Sequence, residues 1–141
     1  AASSVPAIAH TMQPLRAKSG ALLIDATYNA STDGVLSGIA DLSLYKKSKR
    51  SVIFQDIIEL GSEAAADHER IARAMAASAQ TVLLLASPLM PLIMAELKKQ
   101  GMTHDQIFTE DRLADFLKTV DADTVVFFAG RGAGRILNKL V

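Results

Sequence analysis

Thr124-Val125-Val126-Phe127-Phe128-Ala129-Gly130-Arg131-Gly132-Ala133-Gly134-Arg135 carries the clearest fold signal in the chain. It opens on a β-branched and aromatic run with no polar break after Thr124. A strand with one wet face alternates apolar and polar residues, whereas an unbroken run suits a strand covered on both faces, as in a parallel sheet. Three glycines then interrupt the chain, and a last short helix is expected over Arg135 to Leu140. Strand, glycine-rich turn and helix in that order are the building unit of an open α/β sheet.

Three more runs have the same unbroken character: Ala21-Leu22-Leu23-Ile24, Ser51-Val52-Ile53-Phe54 and Thr81-Val82-Leu83-Leu84-Leu85. A weaker run, Gln106 to Thr109, is a candidate fifth strand, and Met12 to Arg16 a candidate N-terminal one before the turn Lys18-Ser19-Gly20. Helical spacing lies between them. Val35, Leu36, Ile39 and Leu42 share a face over 32–45, with Leu44 off that stripe; Ile71 and Met75 sit four apart in the alanine-rich stretch 62–78. A helix over 88–100 has proline early and Gly101 just past its end, the asymmetry helices favour. Leu113, Phe116 and Leu117 mark another over 110–119. The alternation predicts an α/β fold: a three-layer Rossmann-like sandwich, its mostly parallel sheet of about five to six strands carrying helices on both faces.

The 141 residues are read as a single domain, with 1–11 as inter-domain linker. Half of the residues are hydrophobic and Lys+Arg balances Asp+Glu at 15 each. The lack of basic excess argues against nucleic acid as a partner. No run reaches the ~18 apolar residues that span a bilayer, so no membrane partner is expected. The absence of cysteine removes disulfides, thiolate zinc sites and a cysteine nucleophile, and it fits the cytoplasm.

Ligands of such folds collect beyond the carboxyl ends of the strands. The first strand runs into Asp25-Ala26-Thr27-Tyr28-Asn29-Ala30-Ser31, which offers a carboxylate, a stacking ring and an amide, with Ser31 or Thr32 as helix N-cap. The plainer alternative is turn chemistry, which Asn and Asp also favour. The second strand runs into Gln55-Asp56-Ile57-Ile58-Glu59-Leu60-Gly61, with His68 in the helix that follows. Asp56, Glu59 and His68 raise a metal site, but no zinc or calcium spacing matches, and a solvated loop with a surface histidine is the favoured reading. Glu63 to Arg73 reads as a solvated helix face with Glu69 and Arg73 four apart. His10 and His104 read as loop residues. At Gly130 to Gly134 the alternatives are an anion site of backbone N–H groups with Arg131 and Arg135, or a tight turn permitting close packing. It is not a Walker A loop, since the Gly-Lys-Ser/Thr ending is missing.

In order, Met12-Gln13-Pro14-Leu15-Arg16, Asp25 to Ser31, Gln55 to Gly61 with His68, and Ala129 to Gly132 resemble the C-terminal domain of the Mur ligases, nearest to the MurF type. MurF-type ligases join D-alanyl-D-alanine to a UDP-MurNAc-tripeptide. The resemblance implies the closing, substrate-binding domain of an ATP-dependent peptidoglycan-precursor ligase, which forms an amide through an acyl phosphate. It implies upstream central ATPase and UDP-sugar-binding domains as partners, and a peptide or amino acid as substrate. ATP and Mg2+ would be held mainly by the ATPase domain. This domain would carry no catalytic residue or metal ligand and be inactive alone. By matching position, Asp25, Tyr28 and Asn29 would meet the nucleotide, and Asp56, Glu59, His68 and Arg131 the substrate.

Several positions depart from the family pattern. Thr11, Ala26 and Ala129 replace charged residues, Gln55 replaces a glycine, and Ser31-Thr32 replaces Asn-Pro. The alternative implied is a non-catalytic binding or scaffold module of the same fold that has lost ATP contacts.

Overall fold

The computed structural model describes residues 13–28, 31–57 and 61–141. Six strands form one sheet: β1 (Gln13–Arg16), β2 (Leu22–Ala26), β3 (Lys49–Phe54), β4 (Thr81–Leu84), β5 (Ile107–Thr109) and β6 (Thr124–Ala129). Their order across the sheet is β1-β2-β6-β3-β4-β5. Among the described residues only the β1–β2 pairing is antiparallel, so the sheet is mostly parallel as the unbroken runs predict.

The chain steps from β2 to β3, β4 and β5 through α1 (Thr32–Ala40), α2 (Ala64–Ser78) and α3 (Met90–Lys99). It then passes through α4 (Leu113–Leu117) and returns as β6 between β2 and β3, ending in α5 (Ala133–Leu140). Right-handed crossovers in one direction lay their helices on one face; reversing direction puts the next helices on the other. The two cores follow that rule. Ile24, Val52, Phe54, Val82, Leu84, Val125 and Phe127 pack with Val35, Ile39, Ile71, Met75, Ile93 and Leu97 of α1–α3. Leu23, Ile53, Leu83, Val126 and Phe128 pack with Phe116 of α4 and Ala133, Ile136 and Leu137 of α5. β6 is buried along its whole length because both layers close over it.

Local chemistry shifts some boundaries. Ser31 caps α1, its side chain accepting from the Gly34 N–H at 3.0 Å. The first helix tightens to a 3-10 turn over Asp41–Leu44, leaving Leu44 exposed, and the helix expected over 110–119 starts as a 3-10 turn, Glu110–Arg112. Arg73 reaches across to Glu96 of α3 at 3.8 Å, so the expected Glu69 pairing along α2 gives way to a bridge between helices.

Arg135 of α5 grips Glu110 beyond β5 with two nitrogens, at 2.7 and 3.3 Å. The Arg135 hydrogen bond, with the charges of Arg135 and Lys139, holds the Glu110 carboxyl below the usual glutamate range, although burial pushes the other way. A depressed folded-state value contributes stability above the unfolded glutamate range and loses it as pH falls through the folded value. The side chains are 54% and 35% exposed, so screening holds the pair to about 0.5 kcal/mol. Glu110→Gln is therefore expected to lower stability by that amount at neutral pH in low salt, with no difference from the parent once the pH lies below the depressed folded value of Glu110. Urea titrations at the two pH values check it; an equal deficit at both would refute the ionic origin.

Candidate functional site

The sheet register sets the site. Ala26 pairs with Ala129, Ala129 with Phe54, and Phe54 with Leu84. Four parallel strands thus end level, and the loops after them rise side by side. Between them lies a cleft of about 240 Å³, lined by Thr27, Gln55, Asp56, Ile57, Ala86, Ser87, Pro88, Gly130 and Arg131. A second hollow, of about 280 Å³, is lined by Thr27, Tyr28, Arg131, Gly134, Leu137 and Asn138. Thr27 and Arg131 border both, so a ligand can extend from one into the other past the Arg131 side chain. Tyr28 is exposed in the second hollow, where a ring can stack on a planar ligand.

Asp56 is held by the start of α3. Its Oδ2 accepts from the Leu89 N–H at 2.7 Å, which fixes the carboxylate at the helix N-terminus. Asp56 Oδ1 and Ser87 Oγ are buried and have no hydrogen-bond partner among the described residues. Both residues line the cleft. A buried polar atom without a partner costs about 1–3 kcal/mol, a cost that a ligand donor at this position would offset. Asp25 is buried, with Oδ1 accepting from the Thr27 N–H at 3.0 Å and the Thr27 hydroxyl at 2.7 Å. That Asx turn shapes the β2 loop and sets Thr27 at the border of both hollows.

Gln55, noted from sequence only as a departure, is a central contact. Its Oε1 accepts from the Gly132 N–H at 2.7 Å, and its Nε2 donates to the Ala86 carbonyl at 3.3 Å. One amide thereby ties the loops after β6, β3 and β4 together. No short-range sequence signal marks this, because the partners lie 77 and 31 residues away.

One expectation is corrected and one open alternative is decided. His68 is neither on the surface nor against the cleft: it is fully buried, edge-on to Phe54 with ring centroids 5.9 Å apart. Its Nε2 accepts from the Ile57 N–H at 3.0 Å, so Nδ1 carries the proton and donates to the Ala64 carbonyl at 2.7 Å. With both ring nitrogens engaged inside the protein, His68 positions the β3 loop rather than touching substrate. The turn at Gly130–Gly134 is also no open anion cradle. The N–H groups of Gly132, Ala133, Gly134 and Arg135 all have internal acceptors: Gln55 Oε1 and the carbonyls of Gly130, Arg131 and Gly132. Asn29, Glu59, His10, Thr11 and the linker 1–11 lie outside the described residues. Among the described residues no group of three or more His, Cys, Asp or Glu is placed to hold a metal ion, and no helix is long and apolar enough to cross a membrane.

A family profile described as "Mur ligase, glutamate ligase domain" matches residues 12–132. The chain belongs to the C-terminal domain family of the Mur ligases. Solved structures share the fold of this Mur ligase domain. MurF from Thermotoga maritima, in complex with ADP, superposes with a TM-score of 0.76 at 24% identity, over 96% of this chain and 31% of that one. MurF from Acinetobacter baumannii gives 0.77 at 16% identity, over 97% and 31%. The UDP-N-acetylmuramate-alanine ligase MurC of Thermotoga maritima gives 0.62 at 17%, over 92% and 29%. The chain thus spans about a third of the length of these multi-domain ligases. No match is found among curated protein sequences.

Two of the departures from the Mur pattern now have a physical setting. Ala26 and Ala129, where the pattern has charged residues, are buried in the core beneath α1–α3. Their methyl groups contribute packing at the strand ends and no polar contact.

Proposed function

We propose that this Mur ligase domain seats the incoming amino acid or dipeptide of an ATP-dependent peptidoglycan-precursor ligase, and that it works by closing on an upstream nucleotide-binding domain. The carrying observation is a cleft bordered by Asp56 and Ser87, each with a side-chain oxygen that has no partner among the described residues, together with Arg131. A zwitterion would suit these residues: its ammonium would pair with the Asp56 carboxylate and Ser87, and its carboxylate would accept from the Arg131 guanidinium. Tyr28, on the loop after β2, and Asp25, near the end of that strand, stand on the side that would approach the nucleotide. ATP and Mg2+ would be held mainly by the upstream domain, where a UDP-MurNAc-peptide carboxylate would be phosphorylated to an acyl phosphate. The ammonium would release a proton to solvent, the resulting amine would attack that carbonyl carbon, and phosphate would leave as the new amide nitrogen gives up a second proton. The domain's own contribution is to orient the amine and exclude water.

The test is amide formation by the full-length protein from a UDP-MurNAc-peptide, ATP and D-alanyl-D-alanine, a reaction that would take place in the cytoplasm. Arg131→Ala removes a charged hydrogen bond worth about 1.5–3 kcal/mol, so KM for the dipeptide is expected to rise roughly 10- to 100-fold. Absence of ATP-dependent amide formation would reject the ligase reading. It would favour a binding module without catalysis, the reading that the apolar environment of Ala26 and Ala129 supports.

A further inference from the structure

A helix N-terminus attracts anions when its first N–H groups are open. At α5, three of the four N–H groups near the start are closed by backbone carbonyls of the turn itself, those of Gly130, Arg131 and Gly132. The fourth, on Gly132, is closed by a side chain that comes from another strand end. The second anchor of that side chain, Nε2 on the Ala86 carbonyl, fixes which end of the amide faces the turn. The fit is tight: a Cβ on Gly132 would stand 2.0 Å from Gln55 Oε1. The Gln55 carbonyl oxygen thus occupies the position where an anionic oxygen would sit, beside the Arg131 that borders the cleft.

We propose that Gln55 is a specificity-determining residue that stands in for an anion at the β6–α5 turn. It closes the Gly132 donor to phosphate-sized anions and leaves anion recognition in the cleft to the Arg131 side chain. A neutral amide does this without adding charge, so the cleft keeps its attraction for a carboxylate on Arg131 while the turn refuses a second anion. The role left to Arg131 rests on the ligase reading; the closing of the Gly132 donor does not.

The experiment follows the Gly132 backbone amide by NMR in the 141-residue chain during titration with inorganic phosphate, alongside its hydrogen exchange. In the wild type the amide is expected to exchange slowly and to stay unmoved by phosphate. In Gln55→Ala it should lose protection and show a saturable phosphate-dependent shift. Gln55→Glu keeps an acceptor for Gly132 and is expected to stay silent to phosphate, which separates anion exclusion from packing. A Gly132 amide in Gln55→Ala that ignores phosphate would overturn the proposal. So would a wild-type amide that already shifts, a result that decides the matter even if Gln55→Ala fails to fold.

Discussion

Gly130→Ala is expected to destabilise the domain by about 4 kcal/mol, and two independent terms lead to that value. Gly130 has a φ of +91°, where a side chain costs about 1–3 kcal/mol of backbone strain. Its added Cβ would also stand 2.4 Å from the Gln55 backbone oxygen and 3.0 Å from the carbonyl carbon. That neighbour is not a movable tip. Gln55 is the first residue beyond β3, and its N–H donates to the Ala129 carbonyl at 3.0 Å. Relief therefore requires β3 and β6 to part at their carboxyl ends, and such backbone displacement in a packed core costs about 1–3 kcal/mol. In a domain of this size the sum corresponds to a fall in Tm of roughly 10–15 °C. Thermal or urea unfolding reads it directly. A loss under about 1 kcal/mol would show that the strand ends yield freely, against the geometry described here.

Gly134, four residues later, makes the internal control. It lies within α5, has no positive φ, and an added Cβ would meet nothing within 4 Å. Alanine there is expected to stabilise by about 0.4–1 kcal/mol, since it restricts the unfolded chain at a position whose folded backbone it adopts without strain. Opposite signs within one glycine-rich segment identify the turn as a packing device at Gly130 rather than a uniformly flexible loop.

The fold was legible because its information is local. Unbroken apolar runs of strand length and helical stripes between them require no knowledge of the partner, and the doubly covered sheet follows. Where expectation and structure part, long-range packing decides. Asp25 reads as the start of a loop but still belongs to β2, since it pairs with Phe128 in the parallel ladder. The 110–119 segment reads as one helix; Arg112 instead turns back to donate to the His104 and Ile107 carbonyls and lies 4.5 Å over the Phe108 ring. That leaves a 3-10 turn ahead of a short α4.

The site was legible only in outline, as strand ends carrying polar residues. Its decisive contacts are made between loops. Asp56 meets Leu89 across 33 residues and Gln55 meets Gly132 across 77, distances over which sequence pattern carries no register. One signal was available. His68, Ile71, Ala72 and Met75 fall at i, i+3, i+4 and i+7, the spacing of a single buried stripe, and all four are buried. A polar ring on the core stripe of an alanine-rich helix points to an internal hydrogen bond, not to solvent.

His68→Ala tests that role and is expected to cost about 3 kcal/mol. The Ile57 N–H is left without its acceptor in a buried position, at about 1–3 kcal/mol. The edge-on contact with Phe54 is lost as well, at about 0.5–1.5 kcal/mol, and a ring-sized void opens between α2 and β3. The Ala64 carbonyl loses less, since it lies four residues before His68 in the same helix and retains the main-chain position of a helical bond. His68→Gln supplies an acceptor oxygen and is expected to recover part of the deficit, which a void alone would not allow. The consequence reaches the cleft, because Ile57 lines it beside Asp56. Hydrogen exchange at Ile57 should therefore accelerate in His68→Ala more than exchange in the β6 core, where global unfolding sets the rate. Unfolding midpoints of the two variants give the energies. If His68→Ala leaves both the midpoint and the Ile57 exchange rate unchanged, the buried histidine does not hold the β3 loop.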